Sequence, residues 1–283
     1  MATFYNQATL SYNDTVTNSN VTSGELLEAL NAAKAAISAS YSIGESVAYS
    51  VSIVNSSAAP ITNVTVTDNL GAISYGGTTV YPLDYVAGTL RLYVNGAIAT
   101  TPTVTATAPL TVSGITIPAG ANAILLYEAR ANSAAPGAIG STITNTAVIS
   151  GDALAEDITV SATVPVGEEA SLTIAKAICP DTVTDNSEIT YTFIIQNSGN
   201  AEADAGANVS VSDTFTPVLS NISVTLNGTP LAATAYTYDE ATGVFTTLPG
   251  QITVPGATYS INPTTGEQSV TPGVAILKIV GTV

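Results

Sequence analysis

The sequence predicts an all-β chain made of two tandem sandwich repeats with a separate strand ahead of them. Three observations carry that expectation: a strand-forming composition, a collinear internal repeat, and alternation of apolar with small polar residues inside each repeated block. Of 283 residues only 9% are charged and 46% are hydrophobic, with 22 Gly and 14 Pro as punctuation. Thr, Ser, Val, Ala and Asn are abundant, as in pleated, half-buried strands joined by turns. The length allows two domains that each bury a core of their own.

Charge and residue inventory exclude whole classes of function. The formal charge is −16, with Lys34, Arg91, Arg130, Lys176 and Lys278 as the only Lys and Arg residues. Such a chain repels phosphate backbones and anionic lipid heads, so no nucleic-acid partner is expected. No apolar run nears the ~20 residues that span a bilayer, which argues against membrane insertion. The opening residues Met1 to Asn6 lack the basic and apolar regions of a secretory signal, so export is expected after signal removal or by another route. With no histidine and Cys179 as the sole cysteine, an intramolecular disulfide, a Cys/His zinc site and a histidine-activated nucleophile are excluded. Acidic turns at Glu202 and Asp204 and at Asp152, Glu156 and Asp157 match no defined calcium loop. No metal and no cofactor are expected.

The repeat itself is read block by block. Lys34-Ala35-Ala36, Val47-Ala48-Tyr49-Ser50-Val51 and Asn55-Ser56 return 142 residues later as Lys176-Ala177-Ile178, Ile189-Thr190-Tyr191-Thr192-Phe193 and Asn197-Ser198. Asn63-Val64-Thr65-Val66-Thr67-Asp68 matches Asn208-Val209-Ser210-Val211-Ser212-Asp213, and Ala123-Ile124-Leu125 matches Ala275-Ile276-Leu277. Between them Tyr93-Val94-Asn95-Gly96 matches Thr225-Leu226-Asn227-Gly228, and each Asn-Gly pair predicts a tight hairpin turn. About seven strand-like runs per repeat suit a two-sheet sandwich of Ig type better than a barrel. The expected division is an N-terminal extension over 1–23, a complete Ig-like domain over 24–165 and a second, incomplete one over 166–283.

The same blocks carry a family resemblance. Lys176-Ala177-Ile178, the run Ile189 to Gly199 and the run Asn208 to Asp213 resemble the bacterial surface repeat called domain of unknown function eleven. The family's usual closing strand is similar to Thr144-Asn145-Thr146-Ala147-Val148. The resemblance implies an Ig-like fold in exported cell-envelope proteins and no catalytic activity.

The first repeat continues into a strand from Ser141 to Gly151, whereas the second stops at Val283, the counterpart of about Ala131. A strand is therefore expected to be missing from the second repeat, leaving an edge and a slot of core that need filling. Residues Ala2 to Ser11 match Ser141 to Ser150 at an offset of 139, and Phe4, Asn6, Ala8 and Leu10 share one face of that segment. It reads as a donor strand, and two routes are open: back into its own second repeat, or into that of another copy, as pilin donor strands do. A tether from Tyr12 to Leu27 extends at most ~50 Å at about 3.3 Å per residue, which favours a head-to-tail homopolymer.

Lys34, Asp68 and Asn145 have the parity of their strands' apolar residues, as do Lys176, Asp213 and Asn6. An inward Lys, Asn and carboxylate resembles the autocatalytic isopeptide triad of Gram-positive pilins and adhesins. That resemblance implies a Lys34–Asn145 bond inside the first repeat with Asp68 as proton shuttle, and a Lys176–Asn6 bond between copies with Asp213 in that role. The competing reading is a Lys–Asp ion pair with asparagine capping backbone, or a lysine that reaches solvent. Cys179 has the opposite parity to Lys176 and is expected to face outward. The whole points to a non-enzymatic filament subunit on a bacterial cell or spore surface, the alternative being a non-polymeric adhesin or stalk module.

Overall fold

The computed structural model describes residues 2–26, 30–152, 154 and 156–283, and nearly all regular structure among them is strand. The N-terminal segment holds β1 (Ala2–Asn6), β2 (Thr9–Tyr12), β3 (Thr15–Asn18) and β4 (Thr22–Leu26). They form one folded-back hairpin: β1 pairs antiparallel with β4, Asn6 opposite Thr22, and β2 pairs with β3, Tyr12 opposite Thr15. The turn is Asn13-Asp14, both at positive φ (44° and 59°), which suits the twist of a two-residue hairpin loop. The segment from Tyr12 onward, expected to be a plain tether, is thus largely strand, and β4 runs across the expected boundary at residue 23. Every described side chain of β1 to β3 is exposed, including Phe4 at 59% and Leu10 at 60%.

The first repeat contains β5 (Leu30–Ala36), β6 (Ser46–Asn55), β7 (Ile61–Asp68), β8 (Arg91–Val94), β9 (Thr103–Thr107), β10 (Leu110–Ile117), β11 (Asn122–Ala131), β12 (Thr142–Ser150) and β13 (Ile158–Pro165). One antiparallel sheet has the order β8-β11-β6-β5 and the other β9-β10-β7-β12-β13. Alternation decides which residues meet between them. Val47, Tyr49, Val51 and Ile53 of β6, Val64 and Val66 of β7 and Ile143, Ala147 and Ile149 of β12 join a single apolar core. Each fully buried Val, Ile or Leu contributes about 1.5–3 kcal/mol. The edge strand β13 packs against β5, the edge of the opposite sheet.

The second repeat follows the same plan with β14 (Leu172–Cys179), β15 (Glu188–Asn197), β16 (Ser212–Thr214), β17 (Ser220–Leu226), β18 (Tyr236–Asp239), β19 (Val244–Thr247) and β20 (Gly273–Thr282). Its sheets run β17-β20-β15-β14 and β18-β19-β16. Strand for strand, β14 to β20 take the places of β5 to β11. Strand β15 repeats the alternation of β6, and both Asn-Gly turns close two-residue loops, Val94 facing Ala97 and Leu226 facing Thr229. A separate core gathers Ile189, Tyr191, Phe193, Phe215, Phe245 and Leu277 with their neighbours.

Among the described residues of the second repeat, nothing takes the place of β12 or of β13. One missing strand was expected and two are lacking. The second escaped because β13 has no copy in the later repeat with which to align, although Ile158, Val160, Ala162 and Val164 alternate as a strand should.

Candidate functional site

In the first repeat the predicted polar residues do meet, across the two sheets. Lys34 is presented by β5 and Asp68 by the end of β7, while Asn145 lies in β12 two residues before Ala147, the residue paired with Asp68. Lys34 Nζ donates to Asp68 Oδ2, and so does the Tyr127 hydroxyl. The Leu70 amide donates to Asp68 Oδ1 at 2.9 Å. Asn145 Nδ2 lies 3.5 Å from the Tyr127 hydroxyl, and Asn145 Oδ1 is buried without a partner. The Lys34 ammonium also stands 5.1 Å from the Tyr49 ring centroid and 5.9 Å from that of Tyr127.

Burial dominates the electrostatics. It pulls the Lys34 amine down to about 8, against the pull of the Asp68 charge and hydrogen bond in the other direction. Burial first, then the Asp68 charge, raises the Tyr127 phenol well above its ordinary value. An amine titrating near 8 is partly neutral at physiological pH, and a neutral amine is a nucleophile. The orphaned carbonyl of Asn145 is a cost of about 1–3 kcal/mol that the isolated site does not offset.

The second repeat has the same pair in a wetter setting. Lys176 Nζ lies 2.5 Å from Asp213 Oδ2, with side-chain exposures of 41% and 18%. Its rings are Tyr191, Phe193 and Phe215, at 4.6, 5.6 and 5.7 Å. Tyr127 has no equivalent here, because Ile279 stands opposite Tyr191 as Tyr127 stands opposite Tyr49. Asn6 is not beside this pair: it is exposed in β1, facing Thr22 of its own chain. Phe4, Ala8 and Leu10 are likewise exposed, and so is Cys179.

The exposure of Lys176 has a cause in its strand. In β5 the inward residues Leu30 and Lys34 are buried at 2% and 8%, under β13. In β14 the matching face is bare: Leu172 is 39% exposed, Ile174 57% and Ile178 45%. Among the described residues strand β16 pairs only with β19, whereas its counterpart β7 pairs with both β10 and β12. The second repeat therefore presents an apolar slot between an uncovered strand face and an unpaired strand edge.

Two other repeat-matched residues have structural work. Asn55 Nδ2 donates to the carbonyls of Ala59, Ile117 and Pro118, and Asn197 Nδ2 donates to that of Ala201. Both are buried and tie down the loop after their strand. Among the described residues no group of three His, Cys, Asp or Glu is placed to hold a metal, and no helix is long and apolar enough to cross a membrane.

No family model matches the chain, so the likeness to domain of unknown function eleven rests on motifs alone. No curated protein matches it either. Among solved structures it is similar to a variant of the major pilin subunit of Bacillus cereus, with 12% identity, 90% of this chain and 65% of that chain covered, and a TM-score of 0.38. It is also similar to the pilus backbone protein of Streptococcus pneumoniae, with 12% identity, coverage of 86% and 55%, and a TM-score of 0.35. A family 123 glycoside hydrolase from Clostridium perfringens overlaps with 12% identity, coverage of 49% and 27%, and a TM-score of 0.31. The chain spans about a quarter of that hydrolase and under two thirds of both pilins.

Proposed function

We propose that the chain is a structural subunit of an extracellular bacterial filament, polymerising head-to-tail as its N-terminal segment enters the slot in the second repeat of the next copy. One observation carries this reading: residues Ala2 to Ser11 repeat the pattern of β12, the strand that closes the first repeat, while the second repeat leaves the place of β12 open. Phe4, Asn6, Ala8 and Leu10 then take the positions of Ile143, Asn145, Ala147 and Ile149. Backbone pairing along β16 supplies affinity and the alternate side chains supply specificity. Such a contact is heterologous and does not close on itself, so copies add without limit.

The Lys–Asp–Asn sets lock the strands covalently in this reading. The neutral Lys34 amine attacks the Asn145 carboxamide carbon, the C–N bond to the amide nitrogen breaks, and one ammonia leaves as an isopeptide forms. Asp68 takes the proton from the amine and returns it to the departing nitrogen, so atoms and charge balance. Asn6 of one copy and Lys176 of the next, with Asp213, make the same bond across the joint.

Mass spectrometry of the intact chain tests the first bond: the expected mass is one ammonia below the sequence mass, and Lys34→Ala abolishes the deficit. A full sequence mass for the native chain contradicts it. Deleting residues 2–26 tests the assembly, with folded monomers expected and filaments from the deleted chain contradicting it.

A further inference from the structure

We infer that the element passed between copies is the whole β1–β4 hairpin rather than a single strand, with β4 lying over β14 of the neighbour as β13 lies over β5. The inference rests on the head-to-tail reading above. It comes from three features of the structure that the single-strand picture leaves without a role.

The first is the shape of the deficit. The first repeat ends on a hairpin, β12 with β13, and Asn145 stands opposite Ala162 in it. The N-terminal segment is also a hairpin, and Asn6, the counterpart of Asn145, stands opposite Thr22. Thr22 and Gly24 thus fall where Ala162 and Val164 fall, on the face that turns into the core. Two added strands would bring the three-stranded sheet of the second repeat to the five of the first. One strand would pair β16 but leave Leu172, Ile174 and Ile178 in water, since in the first repeat it is β13 that covers those positions.

The second feature is complementary size. Strand β14 carries Ile174 and Ile178 where β5 has Ala32 and Ala36. Strand β4 carries Gly24 where β13 has Val164. The acceptor strand is larger at two positions and the donor strand smaller at one, the direction of change in which an interface between the two strands keeps its volume. In the free hairpin a side chain at Gly24 would collide with the Phe4 ring, at 2.5 Å from Cβ to Cζ. The hairpin is preorganised with that ring laid across the glycine.

The third feature is the connection. Only residues 27–29 separate β4 from β5, a span of ~13 Å at most at about 3.3 Å per residue. Inside the chain the hairpin β12–β13 belongs to the repeat that precedes Leu172. By a connection shorter still than the stretch 166–171 between β13 and β14, the hairpin β1–β4 belongs to a repeat that precedes Leu30, and that repeat is the second one of another copy. Insertion into its own second repeat would require those three residues to bridge the first.

The test uses the full chain and sedimentation velocity. Leu10→Asp places a charge in the slot under either picture. Thr22→Lys places one there only if β4 enters, and Thr22 is exposed in the free chain, so both variants keep the folded repeats. The expected result is loss of polymer for both. Polymer from Leu10→Asp overturns the head-to-tail reading itself, whereas monomeric Leu10→Asp with wild-type polymer from Thr22→Lys overturns only the hairpin. Hydrogen exchange on the unmodified chain is the second measurement. The amides of residues 22–26 should gain protection on polymerisation, and faster exchange there than in the monomer contradicts hairpin transfer.

Discussion

Asp68 holds the first repeat's core together at its one charged point, and the cost of removing it follows from what surrounds it. It accepts hydrogen bonds from Lys34, Tyr127 and the Leu70 amide with almost no solvent access. Asp68→Ala strands a buried ammonium, so chemical denaturation should show the first repeat destabilised by about 3–5 kcal/mol. The pH dependence has a definite sign. In an Asn145→Ala chain, which cannot form the bond, the Lys34 amine titrates near 8 when folded and near 10.5 when unfolded. The folded state then binds fewer protons between those values, and stability rises with pH across that window. Burial lifts Tyr127 above its ordinary 10.0, so the folded state keeps a proton that the unfolded state loses, and the gain reverses above pH 10. The thermal midpoint should climb from pH 8 to pH 10 and fall beyond it. A flat or descending profile between 8 and 10 contradicts a depressed buried amine. Strand parity alone was enough to place Lys34, Asp68 and Asn145 in one core. It could not reveal Tyr127, because the apolar alternation of β11 looks the same whether its one phenol meets a carboxylate or merely packs.

At the scale of elements, the uncovered stripe on β14 is the feature that distinguishes the two repeats. Leu172, Ile174 and Ile178 would each recover part of the ~1.5–3 kcal/mol of a buried aliphatic side chain once covered. Ile174→Asp should leave thermal unfolding of the monomer almost unchanged, since the site is 57% exposed, yet abolish assembly as seen by light scattering. An assembling Ile174→Asp chain contradicts an acceptor role for β14. The doubled blocks made β5 to β8, β11 and their partners legible, because each apolar alternation was written twice. In the N-terminal segment the outgoing strand over residues 2–11 was legible, but the returning strands β3 and β4 were not. The turn between β2 and β3 is Asn13-Asp14 rather than Asn-Gly, and the returning strands carry polar residues on both faces, as in Thr15-Val16-Thr17-Asn18, so no clear alternation marks β3 and β4. The exposure of Lys176 was left as one of two open readings, because parity gives the direction of a side chain but not whether a second sheet covers it.

At the scale of the whole molecule, a formal charge of −16 means that copies repel one another at long range, more so in dilute salt. In the proposed filament, attraction between them must then come from strand pairing and apolar burial at a specific joint. That arrangement keeps free subunits apart until a hairpin meets a slot. A two-stranded hairpin is marginally stable alone, and an open sheet edge invites pairing, so in the proposed filament each end of the subunit is completed by the opposite end of another. The most direct measurement is an electron cryomicroscopy map of assembled filaments. Residues 2–26 of each copy are expected to be lodged between β14 and β16 of the next, with β1 and β2 paired along β16. A map in which that segment lies outside the second repeat of its neighbour, with the slot empty or filled by another part of the chain, would contradict it.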